Sequence, residues 1–230
     1  MSPIYDRGDH SSLARAPHSD LPTPPQHGTM TGDIKAIFQS FLARLEYRDP
    51  HTMPNASLRA DITADIVAWK AGLSAKMIDG LTDTACTLVE TMFPHTDYAH
   101  QRLICLHTTY IVYIDDLGNR DPEALARFGQ RVAARESLGD PVLERLAGQF
   151  RDMYDMYPSI GADCINAATL GGVAGNHVEL TTEHMDVAPG ALRYPSFVRG
   201  LTGYAAAFAF FNFVQGWRDP ADGFYLQVVP

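Results

Sequence analysis

The sequence predicts an all-α protein built as a bundle of helices. Apolar residues recur three and four positions apart along most of the chain, the spacing that places them on one face of a helix. No segment shows the alternating pattern of a half-buried strand, and no repeat of fixed length is visible. The chain has 230 residues, of which 46% are hydrophobic and 20% charged, so it can bury one substantial core.

The predicted elements follow in chain order, separated by proline, glycine and polar residues. Residues 1–33, with Pro3, Pro17 and Pro22 among scattered polar residues, are predicted to be a disordered leader. Helices are predicted over residues 34–48, 57–72, 75–93, 97–114, 121–132, 142–157 and 162–182, and an aromatic helix begins near Pro195. Gly118 is interpreted as the C-terminal cap of the helix over 97–114.

The composition and charge of the chain disfavour several classes of binding partner. The 18 Lys and Arg residues against 27 Asp and Glu residues give a formal net charge of −9, which disfavours binding to nucleic acid and to anionic membranes. The longest apolar run, Leu201 to Trp217, is interrupted by polar residues and is shorter than the ~20 residues of a usual membrane span. Three widely spaced cysteines and the lack of a secretory signal pattern predict a cytoplasmic protein.

Two adjacent carboxylates, Asp115 and Asp116, follow an apolar run that ends at Ile114. At a helix C-terminus, acidic side chains oppose the helix dipole at a cost of roughly 0.3–1 kcal/mol, and the two carboxylates also repel each other. Mg²⁺ would remove both costs, since it prefers carboxylate oxygen and commonly shares its ligands with substrate phosphate. The pair is therefore a candidate Mg²⁺ and diphosphate site, with an ordinary solvated acidic loop as the alternative interpretation.

The segment from Leu106 to Asp116, followed by Asp121-Pro122, resembles the aspartate-rich segment of trichodiene synthase and related fungal sesquiterpene synthases. Three further segments resemble the same family in the same order along the chain: Phe41 to Asp49, Gly175 to Glu179, and Tyr194 to Gly203. Together the four segments extend over roughly residues 34–230. The chain is therefore similar to the trichodiene synthase family of class I terpene synthases.

This resemblance implies a class I terpenoid synthase helical bundle, of which residues 34–230 form the N-terminal portion. It implies a lyase that binds a prenyl diphosphate, farnesyl diphosphate above all, and uses Mg²⁺ to draw away pyrophosphate before the carbocation cyclises. The implied metal ligands are Asp115, Asp116 and Asn119, with Asp115 as the catalytic residue. The expected walls of the substrate cavity, for which plain core packing is the alternative, are Thr108, Ile111, Phe197, Tyr204 and Phe208.

The sequence departs from the family pattern at three points. Asn119 stands where the motif has its third acid, and Ala167 stands where the small-residue helix of the family has a pyrophosphate-binding Arg. The second metal motif of the family is not found before Pro230, so a C-terminally truncated chain is expected. Exposed apolar surface is then expected along Tyr204 to Val214. A pair of glutamates one helical turn apart, Glu179 and Glu183, is interpreted as a solvated helix face without a role in the chemistry.

Two alternatives to an active sesquiterpene synthase stay open. One is a catalytically inactive helical remnant that binds a prenyl diphosphate or a protein partner without turnover. The other is a chain-elongating prenyltransferase, which is less favoured because such enzymes normally have two aspartate-rich motifs. A homodimer is one assembly that remains to be tested.

Overall fold

The computed structural model describes residues 30–48 and 53–216. The chain divides into two units, Met1–Asp49 and Pro50–Pro230. The first unit contains α1 (Met30–Arg44), in which Ile34, Phe38 and Phe41 follow one another at helical spacing. This helix begins four residues before the predicted start at Ile34, and residues 1–29 of the predicted leader lie outside the described residues.

The described part of the second unit is all-α, which confirms the predicted fold class. No strand occurs within residues 53–216. The helices are α2 (Ala56–Ala68), α3 (Ala75–Met92), α4 (Tyr98–Arg120), α5 (Pro122–Ala134), α6 (Pro141–Met156), α7 (Ser159–Thr182), α8 (Tyr194–Thr202) and α9 (Ala205–Phe210). The predicted starts of α2 to α7 therefore fall within a few residues of the observed ones.

Polar side chains begin five of these helices. Each of them accepts a hydrogen bond from a backbone N–H in the first turn, where the N–H groups have no partner within the helix. Such a cap stabilises a helix by about 1 kcal/mol, and it depends only on residues two or three positions apart. The capping residues are Asn55, Ser74, Asp97, Asp121 and Asp140.

Two long helices, α4 and α7, form the centre of the second unit. Helix α4 contacts α2, α3, α5, α6 and α7, whereas α7 contacts α4, α5, α6, α8 and α9. The fully buried core side chains include Ile104 and Ile114 on α4, Leu143 and Leu146 on α6, and Ile165 on α7. Each of the two long helices is thus held by contacts with five other helices.

Helix α4 is longer than its sequence predicts. It continues through Gly118 and ends at Arg120, because Asp121 precedes Pro122 and a residue before proline avoids the helical conformation. Gly118 is not a cap: a Cβ built there would lie 2.3 Å from the Cδ1 atom of Leu180 on α7. The glycine permits close packing of α4 and α7. Because α4 continues to Arg120, the acidic pair lies inside the helix and not at its end.

The predicted aromatic helix is two helices. Tyr204 lies between α8 and α9 with a φ of 47°, a left-handed conformation that breaks the helix. Helix α9 folds back onto α7, and Phe211 packs against Phe93 and Tyr157 at centroid distances of 6.2 and 5.7 Å. The prediction of an exposed apolar surface along Tyr204 to Val214 is therefore wrong for its large residues Tyr204, Phe210 and Phe211, which are buried.

Within the described residues, no helix combines the length and the apolar character that crossing a lipid bilayer requires.

Candidate functional site

A pocket of about 760 Å³ opens between the C-terminal ends of α4 and α7 and helix α8. Its apolar wall is formed by Leu180, Val187, Pro195 and Val198. Its polar side chains come from three separate helices and include Asp115, Asn119, Asn176, Glu179, Glu183 and Arg199. The pocket can thus contact both hydrocarbon and charged groups.

Asp115 is the acidic residue of the predicted motif that reaches this pocket. Its Oδ1 atom accepts a hydrogen bond from Nδ2 of Asn176 on α7, at 2.6 Å. Partial burial raises the pKa of the Asp115 carboxyl, the bond from Asn176 lowers it, and the charge of Glu179 raises it further. The charged carboxylate is therefore held at some cost, which a bound cation would relieve.

Asn176 orients this carboxylate from a buried position. Only 5% of the residue is exposed, and its Oδ1 atom has no hydrogen-bond partner within the described part of the chain. A buried amide oxygen without a partner is costly, so it is a group that a ligand or a water molecule would satisfy. Sequence reasoning assigned Asn176 no role, because its bond to Asp115 joins residues 61 positions apart.

The other two predicted metal ligands have different surroundings. Asp116 points away from the pocket lining and forms an ion pair with Arg120, with 2.9 Å between Oδ2 and Nε. Consecutive residues of a helix project about 100° apart, which separates Asp116 from Asp115. Asn119 does line the pocket, and its Nδ2 donates to the Asp115 carbonyl oxygen at 3.4 Å.

Charged residues of α7 and α8, to which sequence reasoning assigned no role, also line the pocket. Glu179 and Glu183 are exposed, as predicted for a solvated helix face, yet both line the same pocket as Asp115. Arg199 on α8 supplies positive charge to the same pocket. Ala167, which stands where the family has a pyrophosphate-binding Arg, is exposed and is not part of the lining.

Glycines on α7 allow α8 and the turn that follows it to pack close to α7 beside the pocket. A Cβ at Gly175 would lie 2.6 Å from Cβ of Leu201. A Cβ at Gly172 would lie 2.1 Å from the ring of Tyr204. The small-residue character of the seventh predicted helix therefore has a packing reason, which is the close approach of α8.

None of the five side chains predicted to form the substrate cavity lines this pocket. Thr108 and Ile111 are buried in the core, and Phe197 is 56% exposed. Tyr204 is buried against Gly172, and Phe208 packs against His107. The break at Tyr204 separates Phe197 from Phe208, because residues on either side of it no longer share one helix face.

The pocket offers oxygen ligands to a metal ion but not a complete set. Within residues 30–48 and 53–216, no three His, Cys, Asp or Glu side chains lie close enough together to hold a metal ion by themselves. Mg²⁺ needs fewer protein ligands, since it usually binds one or two carboxylates and completes its shell with water and substrate phosphate. The raised pKa of Asp115 and the neighbouring Glu179 fit such a site.

The chain is similar to known terpene synthases along almost its whole length. It is 27% identical over 226 residues to Terpene synthase BipA of Cochliobolus sativus, covering 96% of this chain and 65% of that protein. It is 24% identical over 236 residues to Monoterpene synthase 25 of Postia placenta, covering 100% of this chain and 69% of that protein. No protein-family model matches the chain.

The chain thus spans about two thirds of the length of these relatives. Both relatives are named as terpene synthases, and the all-α architecture of residues 53–216 fits the terpenoid synthase fold. The sequence, the fold and the relatives agree that this chain is similar to terpene synthases.

Proposed function

We propose that the pocket bordered by Asp115 and Arg199 is the ionisation site of a Mg²⁺-dependent terpene synthase. The proposed substrate is a prenyl diphosphate, farnesyl diphosphate in the first instance, and the proposed products are a cyclic hydrocarbon and pyrophosphate. One observation carries the proposal: a carboxylate and a guanidinium, from helices α4 and α8, line one pocket together with the apolar side chains of Leu180, Val187 and Val198.

The charges of the pocket fit a metal diphosphate better than a free anion. Asp115, Glu179 and Glu183 exceed the single charge of Arg199, so an unaccompanied diphosphate would be repelled. Asp115, assisted by Glu179, would hold Mg²⁺, which when bound neutralises the charge that develops on the leaving diphosphate. Arg199 would bind the diphosphate oxygens directly, in the paired geometry that guanidinium groups favour.

The remaining groups position and shield the reacting part of the substrate. Asn176 keeps the Asp115 carboxylate directed into the pocket through their 2.6 Å hydrogen bond. Leu180, Val187 and Val198 would contact the prenyl chain and exclude water, which would otherwise capture the carbocation.

Turnover by the purified chain tests this proposal. We expect pyrophosphate and volatile hydrocarbon to be released from farnesyl diphosphate in the presence of Mg²⁺. Asp115→Asn and Arg199→Ala should each lower kcat/KM by about 10²–10³, the typical effect of removing an electrostatic contact to a developing charge. Glu123→Gln, an exposed change on α5 where Glu123 pairs with Arg127, is the matched control and should leave the rate unchanged.

The same assay can determine which length of prenyl chain the protein accepts as substrate. The relative from Postia placenta is named a monoterpene synthase, so geranyl diphosphate should be compared with farnesyl diphosphate. Turnover that persists in both Asp115→Asn and Arg199→Ala would contradict the assignment of this pocket.

A second candidate is a protein that binds a prenyl diphosphate without converting it. The observation in its favour is that no complete metal-ligand group occurs within the described residues. Calorimetric titration with a non-hydrolysable farnesyl diphosphate analogue and Mg²⁺ separates the two candidates. Saturable binding without turnover supports the second candidate, whereas the absence of both binding and turnover contradicts both.

A further inference from the structure

A second, smaller pocket of about 270 Å³ lies between α2, α4 and α6 and shares no residue with the pocket at Asp115. We call it the arginine cleft, because three guanidinium groups line it: Arg102, Arg145 and Arg151. Two carboxylates, Asp65 and Asp152, also line the cleft. The excess of positive charge is unusual in a chain whose formal net charge is −9.

The positive charges of the cleft are unequally compensated. Arg102 is paired with Asp65, with 2.5 Å between Nη2 and Oδ2. Arg145 donates instead to the carbonyl oxygen of Ala68 at 3.2 Å, and no carboxylate of the described chain lies within ion-pair distance of it. Arg145 therefore keeps a charge and several N–H donors for a further partner.

The inner wall of the cleft contains a donor without an acceptor. Trp69 is 2% exposed, and its indole N–H is buried without a hydrogen-bond partner among the described residues. Buried donors are almost always paired, because an unpaired N–H loses its bonds to water and gains nothing in return. An indole nitrogen can only donate, so the missing partner must be an acceptor.

Tyr110 adds a second donor beside this indole. Its ring lies 5.4 Å from that of Trp69, centroid to centroid, and it lines the same cleft. Burial raises the pKa of Tyr110 to about 12, so the phenol keeps its proton at neutral pH. The donors of Trp69 and Tyr110, together with three arginines that outnumber the carboxylates Asp65 and Asp152, give the cleft groups that can bind an anion with several oxygen atoms.

We propose that the arginine cleft binds a small oxyanion, either inorganic phosphate or a small carboxylate, separately from the pocket at Asp115. The Trp69 indole would donate to one oxygen, while Arg145 and Arg151 would hold the charge. Guanidinium groups suit this chemistry because their N–H groups match the oxygen spacing of phosphate and carboxylate. The volume is below the range of pockets for drug-sized ligands, which limits the ligand to a few heavy atoms.

Calorimetric titration of the purified chain with phosphate and with acetate, at constant ionic strength, tests the proposal. We expect saturable binding of at least one of the two ions, weakened about tenfold or more by Arg145→Ala and several-fold by Trp69→Phe, which removes only the N–H group and part of the ring. Arg127→Ala on α5 is the matched control, since it also removes an exposed arginine. It should bind as the unmodified chain does.

The location of the bound ion is tested separately. Asp115→Asn and Arg199→Ala should not change the affinity, because neither residue lines the arginine cleft. The sequence contains two tryptophans, Trp69 and Trp217, so in a Trp217→Phe variant the fluorescence reports on Trp69 alone. We expect phosphate or acetate to change that fluorescence with the same affinity as the calorimetry shows.

Three results would overturn the proposal: no saturable binding of either ion, binding that Arg199→Ala abolishes, or equal affinity in Arg145→Ala, Arg151→Ala and the unmodified chain. Thermal melts of each variant identify any that do not fold, and Arg151 is exposed, so its replacement offers a second test that leaves the core intact. Binding of acetate without phosphate, or the reverse, identifies which of the two anions the cleft selects.

Discussion

Two polar side chains on α4, His107 and Asp115, lie about two helical turns apart and have opposite surroundings. His107 is fully buried, and its ring nitrogens lie 3.1 Å from Oε1 of Gln149 and 3.4 Å from Oγ1 of Thr169. Asp115 is exposed and lines a pocket, where its Oδ1 atom accepts a hydrogen bond from Asn176.

The difference separates a structural polar group from a candidate functional one. The Nε2 of Gln149 donates to the Leu103 carbonyl oxygen, so its Oε1 accepts from His107 and the histidine is fixed in one orientation. All the partners of His107 belong to the protein, which leaves nothing for a ligand to supply. Asp115 instead is exposed to solvent and bonded to Asn176, whose amide oxygen has no partner among the described residues.

Truncating each residue gives the largest expected contrast. His107→Ala should lower the free energy of unfolding by about 3–5 kcal/mol, because it leaves a cavity against Phe211 and an unpaired amide at Gln149. Asp115→Asn should change it by less than about 1 kcal/mol while it lowers kcat/KM by about 10²–10³. Urea unfolding followed by circular dichroism measures both values, and equal losses would mean that Asp115 is also a structural residue.

The pH dependence of stability should have opposite signs at the two residues. Burial lowers the pKa of His107 to about 4 from its usual 6.5, so the unfolded chain takes up the proton first as pH falls. Stability from this residue is therefore full above pH 6.5 and decreases by up to about 3 kcal/mol as pH falls to 4. The raised pKa of Asp115 works in the other direction, adding stability as pH falls through its folded-state pKa.

Unfolding measured between pH 7 and pH 4 checks this prediction. His107→Gln should remove most of the loss of stability on the acid side, and Asp115→Asn should remove the small opposing contribution. An unchanged pH profile in His107→Gln would show that another buried group controls the acid response.

Two glycines, Gly172 on α7 and Gly118 on α4, should differ in how well they tolerate replacement by alanine. Gly172→Ala drives a Cβ into the Tyr204 ring, whose atoms lie 2.1–2.6 Å away, and should destabilise the protein by about 1–3 kcal/mol. Gly118→Ala meets the flexible end of Leu180 and gains helix propensity of about 1 kcal/mol, so its stability should be nearly unchanged. Thermal melts of both variants measure the difference; a larger loss at Gly118 would reverse this interpretation.

The smallest effect is expected at Asp116. Asp116→Asn breaks an ion pair with Arg120 in which both side chains are 47% exposed, so stability should change by about 0–1 kcal/mol. Activity should also fall far less than in Asp115→Asn, because only Asp115 lines the pocket. Equal loss of kcat/KM in the two variants would show that both carboxylates serve the site.

Several boundaries were predictable because their causes are local. Asp97 and Asp121 cap α4 and α5 through bonds to residues three positions on, and the predicted starts of both helices lie within one residue of the observed ones. The interpretation of Gly118 as a cap was wrong because the cause of its presence is not local. Its role is contact with Leu180 on another helix, and no local pattern records such a contact.

The sequence by itself determined that the protein is helical, where six of its helices begin, and that Asp115 ends a strongly apolar segment. Helical periodicity and capping act over three or four residues, so a linear reading captures them. Only the tertiary structure decided that Asp115 meets Asn176, that Arg199 reaches the same pocket, and that Trp69 faces arginines from other helices. These groups meet because the close packing of α4 and α7 fixes which helix ends coincide, and that packing depends on shape over the whole interface.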